Sequence, residues 1–147
     1  MVGTLILTHG GLARELLAAA QIIAGPPAAI EALSLDWHDS FDGAREKVAA
    51  ALGRLDQGDG VLVLTDMYGG TPSNVAMTFF TPGRVEVLAG VNLPMVLRLN
   101  CRPRGGDLAV VAHWLQEKGN QSHCLASDRR PCAPQATCDA LAAEPIK

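Results

Sequence analysis

Apolar and polar positions along this chain change period several times, and each change marks an element. Val2 to Thr8 is an apolar, β-branched run of strand length, broken by Gly10 and Gly11. From there Leu12, Leu16, Leu17, Ala20 and Ile23 form one helical stripe, with Arg14, Glu15 and Gln21 off it. Gly25, Pro26 and Pro27 stop that pattern. A short strand is expected through Ala32, Leu33 and Leu35. Ser40 can cap a helix carrying Phe41, Ala44, Val48, Leu52 and Leu55 at three- and four-residue steps, ended by Gly58 and Gly60. Val61 to Leu64 is a continuous apolar run, as in a central strand covered on both faces. Thr71 and Pro72 start a helix running to about Phe80, and Pro82 with Gly83 leads into a strand at Val85 to Ala89. Asn92 to Pro94 opens another short helical stretch. Asp107 can cap a final helix with Leu108, Val111, Ala112 and Leu115, closed by Gly119.

Strands alternating with helices predict right-handed βαβ units. The expected fold is α/β, with an open, mostly parallel, doubly wound sheet and helices on both faces. A chain of 147 residues suits one domain, placed at residues 1–122. Residues 123–147 are an atypical C-terminal segment, and from Arg129 to Lys147 neither helical nor strand periodicity survives, so a flexible tail is expected there.

Composition narrows the function classes. With 48% hydrophobic and 18% charged residues the chain is globular rather than disordered. A net charge of -3 gives no electrostatic case for nucleic acid or an anionic membrane surface. No apolar run approaches the ~20 residues that cross a bilayer, and no tripartite secretory signal is seen, so a cytoplasmic location is expected. Cys101, Cys124, Cys132 and Cys138 lack C-x2-C spacing, and reduced thiols are the expectation.

In an open parallel sheet, ligands gather beyond the carboxyl ends of the strands. That edge collects His9, Asp66 and the segment Gly90 to Asn92 from three different strands. A neutral imidazole is a competent nucleophile toward a phosphoryl group, and Gly10 and Gly11 leave room for a donor beside His9. The competing reading is a histidine that only hydrogen-bonds at a strand end. Gly69 and Gly70 can turn amides toward an anion, assisted by the following helix start, and Thr71 can cap that helix or offer its hydroxyl. Taken alone, that segment is equally a tight loop with a helix cap. Asp66 can hold one tautomer of His9 and stabilise an imidazolium. No GxxxxGK[ST] loop, cofactor motif or metal-ligand cluster is present, so neither cofactor nor metal is expected.

Three stretches resemble the IIA proteins of the mannose family of the bacterial phosphotransferase system: VGTLILTHGG at Val2 to Gly11, VLVLTDMYGGTPSN at Val61 to Asn74, and LAGVNLPM at Leu88 to Met95. The resemblance covers about Met1 to Ser122. It implies that His9 is phosphorylated by the phosphocarrier protein HPr and passes the group to a IIB component. That component phosphorylates sugar during transport by a membrane permease. It also implies that Asp66 hydrogen-bonds the imidazole, that Tyr68, Gly69, Gly70 and Thr71 receive the phosphoryl group, and that a homodimer exchanges a C-terminal edge strand. After Gln121 this chain departs from the pattern, which leaves that strand as His123 to Ser127 or removes it.

Gly10 and Asn92 are expected to support the site, Asn92 either by hydrogen bonds to its loops or as a structural residue. Met67 and Met95 are expected at an adaptable apolar rim, and Trp37 and Trp114 as partly buried anchors. His38 follows the second strand and could border the site, with an exposed loop position the expectation; His113 is expected to pack or to lie on the surface, and Phe79 and Phe80 in the core or a partner contact. Three other functions use the same residues: a regulatory module signalling through His9 phosphorylation, the phosphotransfer subunit of dihydroxyacetone kinase, and a hydrolase with His9 as general base.

Overall fold

The computed structural model describes residues 1–103 and 105–128. Four strands, β1 (Gly3–His9), β2 (Ile30–Leu35), β3 (Val61–Thr65) and β4 (Val85–Ala89), form one sheet in the order β2-β1-β3-β4, and every pairing is parallel. Among the described residues five α-helices accompany it, three between strands and two after β4: α1 (Leu12–Ala24), α2 (Phe41–Leu55), α3 (Thr71–Met77), α4 (Leu93–Arg98) and α5 (Leu108–Asn120). This is the α/β sheet with helices on both faces that the sequence predicts.

Strand periodicity divides the interior in two. Ile6, Leu62 and Leu64 point to the face covered by α1, α4 and α5, where Met95, Val96, Val111 and Leu115 pack around them. Leu5, Leu7, Val61 and Val63 point the other way, against Ala44, Val48 and Ala51 of α2 and Val75 and Ala76 of α3. All the residues of β3 are buried, as its unbroken apolar run requires.

The chain winds outward from β1 to β2, then crosses back to β3 on the other side of β1. The reversal falls between β1 and β3, and it opens a crevice at their carboxyl ends where two connections diverge. A sharp turn from β1 into α1 keeps His9 at this lip. The Thr8 hydroxyl accepts a 2.7 Å hydrogen bond from Ala13 N–H, doing for α1 what no side chain of Gly11 can do.

Three details depart from expectation. Helix α3 ends at Met77 rather than near Phe80, because Thr78 and Phe79 N–H bond three residues back to Val75 and Ala76 and tighten the last turn. No strand forms over His123 to Ser127. Asp128 N–H donates to the Leu125 carbonyl at 2.9 Å, which folds the segment back instead of extending it along a sheet edge. Cys101 and Cys124 are both disulfide-bonded, which corrects the expectation of reduced thiols for these two, while Cys132 and Cys138 lie outside the described residues. Spacing rules detect local ligand pairs, whereas a bridge depends on which Cβ atoms approach in space. The tail expected over Arg129 to Lys147 lies outside the described residues.

Gly60 enters β3 with φ +81°, and a Cβ there would stand 2.8 Å from the Arg84 carbonyl oxygen. Gly60→Ala is therefore expected to lower unfolding stability by about 2 kcal/mol. Urea denaturation of both proteins measures it, and an unchanged midpoint would contradict this account of the β3 entrance.

Candidate active site

His9 is the last residue of β1, and Asp66 follows β3 directly. Register places Leu7 beside Thr65, so β1 runs two residues past the end of β3 and His9 meets Asp66 as the chain leaves β3. Asp66 Oδ2 accepts two hydrogen bonds from His9, one from the main-chain N–H at 3.0 Å and one from ring Nδ1 at 2.7 Å. Asp66 Oδ1 accepts from Met67 N–H at 3.0 Å. Burial pushes the Asp66 carboxyl upward. The His9 main-chain and ring hydrogen bonds, the imidazole's charge and the Met67 amide outweigh it, and the net shift is downward.

An ionised carboxylate only accepts, so the proton of a neutral imidazole sits on Nδ1 and the lone pair is left on Nε2. The ring is 23% exposed, enough for that nitrogen to be reached from solvent. Against its Cε1–Nε2 edge lies the backbone of Gly70. A Cβ at Gly70 would come within 2.6 Å of Cε1 and 3.1 Å of Nε2. Gly70 has φ -79°, so its glycine serves close approach rather than an unusual backbone.

The loop from Met67 to Gly70 differs in part from the expected anion cradle. Gly69 N–H is already taken by the buried Ser73 hydroxyl at 3.2 Å, and Asn74 Nδ2 donates to the Gly69 carbonyl. Thr71 is the first residue of α3, capped by Gly70 without a side-chain bond, so its exposed hydroxyl is not spent on capping. Tyr68 and Met67 project outward beside the loop. Gly10 has φ +52° and donates its N–H to Leu35 at 3.0 Å, tying the turn after His9 to β2.

Asn92 stands apart from the imidazole. Its Oδ1 caps α4 by accepting from Met95 N–H at 3.0 Å, and its Nδ2 donates to Ser122. The loop it ends backs the site, since Gly90 and Val91 N–H both donate to the Thr65 carbonyl, next to Asp66. Met95 is buried against α5 and is no part of a rim. His38 and His113 are exposed, Trp114 and Phe79 pack partly against the cores, and Phe80 is exposed.

The family model described as the PTS system fructose IIA component, EIIA-man, matches residues 3–102. The chain belongs to this IIA family. It is 36% identical over 102 residues to the PTS system mannose-specific EIIAB component of Escherichia coli K12, a match covering 65% of this chain. The chain spans only 30% of that relative's length. It is 31% identical over 100 residues to the PTS system fructose-specific EIIA component of Bacillus subtilis, covering 67% of this chain and 68% of that one. Among solved structures, the mannose/sorbose-specific IIA subunit of Enterococcus faecalis superposes with a TM-score of 0.78 at 30% identity, over 88% of this chain and 98% of that one.

One neighbour of this IIA-type site was misread from sequence. Trp37, expected as a partly buried anchor, is 78% exposed and stacks on the His9 ring. The signal lay in the register: Leu35 pairs with His9, so a residue two positions later belongs to the same lip.

Two outcomes follow from this geometry. Alanine suits the Gly70 backbone but displaces the His9 ring, so Gly70→Ala is expected to fold normally and to lose reactivity at His9 by on the order of 100-fold, measured with a histidine-directed acylating reagent. Asp66 titrates below its ordinary value of 3.8 in the folded chain. Its stabilisation is present above that value and lost as pH falls through the depressed one. The stability advantage of wild type over Asp66→Asn should hold near neutrality and shrink progressively as pH falls below 3.8 in denaturant titrations.

Proposed function

We propose that this chain is a phosphohistidine carrier, which accepts a phosphoryl group from HPr on His9 and hands it to a IIB component in sugar uptake, upstream of a membrane permease. The proposed working unit is residues 1–122, acting in the cytoplasm. One observation carries the reading: His9 Nδ1 lies 2.7 Å from the Asp66 carboxylate, which favours the proton on Nδ1 and supports Nε2 as the bare nitrogen at the lip. Membership of the IIA family supports it.

In the forward step the Nε2 lone pair attacks phosphorus, the N–P bond of the donor phosphohistidine breaks, and its electron pair stays on the donor nitrogen. The product ring keeps its Nδ1 proton and is cationic, a charge that Asp66 stabilises where it develops. Transfer to the IIB acceptor runs the same bond exchange in reverse, with Nε2 recovering its pair. No proton enters or leaves the ring in either step, so one hydrogen-bond arrangement serves loading and unloading. The phosphoryl oxygens would lie toward Tyr68, Gly70 and Thr71, and the absence of Lys or Arg from that stretch suits a group that must leave again.

The test supplies phosphoenolpyruvate, enzyme I and HPr to the purified chain and locates the label by mass spectrometry. A single acid-labile phosphoryl group on His9, absent from His9→Ala, is the expected result. Equal labelling of His9→Ala would sink the assignment.

A further inference from the structure

We propose that Trp37 is a positioning residue for His9, holding the plane of the imidazole and favouring the cationic ring that bears the phosphoryl group. The inference rests on the carrier reading above and names a part of the site that the hydrogen-bond network leaves unexplained.

The hydrogen bond to Asp66 fixes the direction of one ring atom, Nδ1, but a single such bond does not fix the ring plane. The indole supplies the missing constraint. Its centroid lies 5.4 Å from that of the imidazole and the planes are inclined by 22°, a stacked arrangement. Gly70 borders the Cε1–Nε2 edge, so ring direction, ring face and ring edge are each met by a different element.

Trp37 gains little from its own burial, being 78% exposed, so packing of the indole into a core does not account for its location. Its loop is nonetheless built. Asp39 N–H donates to the Asp36 carbonyl at 3.0 Å, and Asp36 N–H donates to Asp39 Oδ2 at 2.9 Å. Lys47 of α2 donates to both Asp39 carboxylate oxygens, at 2.7 and 2.9 Å. The buried Leu35, in register with His9, anchors the loop's start. An exposed aromatic side chain is thus presented to the nucleophile from a closed turn.

Charge gives the stack its chemical consequence. The imidazole is neutral before transfer and cationic after it, with Nδ1–H retained. An indole face within about 6 Å attracts a cation more than a neutral ring. The contact therefore strengthens as the N–P bond forms, which is the condition for an interaction to accelerate a step.

The experiment uses the full chain with Trp114→Phe, which leaves Trp37 as its sole tryptophan. Labelling is followed with two donors, phospho-HPr and the small phosphoryl donor phosphoramidate, in that protein and in its Trp37→Phe and Trp37→Ala derivatives. Trp37→Ala should be labelled about fivefold more slowly by both donors, Trp37→Phe should recover most of the rate, and Trp37 emission should change on labelling. Unchanged labelling by phosphoramidate would overturn the proposal, whatever happens with phospho-HPr, because a docking contact alone acts only through the protein donor. Unchanged emission on labelling would also overturn it, independently of how any variant folds. A parent chain that takes phosphoryl from neither donor removes the carrier reading itself, and this proposal with it.

Discussion

The paired hydrogen bonds between His9 and Asp66 are the constraint on which the site depends. They join residues 57 positions apart, and one carboxylate oxygen receives both the main-chain and the ring N–H of the same residue. The main-chain bond fixes where His9 stands, and the ring bond fixes which nitrogen is bare. Neither could form unless β1 and β3 were adjacent, parallel and in the register observed. The winding reversal of the sheet therefore places a proton-free ring nitrogen and a carboxylate at one lip without help from nearby sequence.

Most of the fold was legible because hydrophobic period and glycine or proline punctuation agree. Val61 to Leu64 reads as a doubly covered strand and is one, and Ser40 and Asp107 cap the helices they precede. His9 and Asp66 were legible for a different reason: a rule about strand ends needs only the order of elements. The same rule, carried to β2, would have brought in Trp37, but tryptophan's usual preference for burial pointed the other way. Met95 illustrates the reverse error, since closeness in sequence to a site loop says nothing about which way a helical side chain turns. The cysteines could not be read at all from spacing, because a bridge is a fact of three-dimensional proximity.

The loop after Asp66 leaves no room for a side chain beside one edge of the His9 imidazole. The Gly69 amide and carbonyl are engaged by Ser73 and Asn74, which stiffens the turn and sets the Gly70 backbone against the imidazole. A side chain of any size at that position would compete with the ring for the same space. Precision here comes from a main chain held by hydrogen bonds from Ser73 and Asn74 rather than from interlocking side chains.

A cavity of about 1110 Å³ lies among Met1, Gly58, Asp59, Gly83, Arg102 and Asp107, which precede strands or α5, at the sheet edge opposite His9. The His9 imidazole occupies an open lip, flanked by the exposed Trp37, Met67 and Tyr68. The outward side chains of that lip can therefore vary without disturbing the His9–Asp66 pair beneath them.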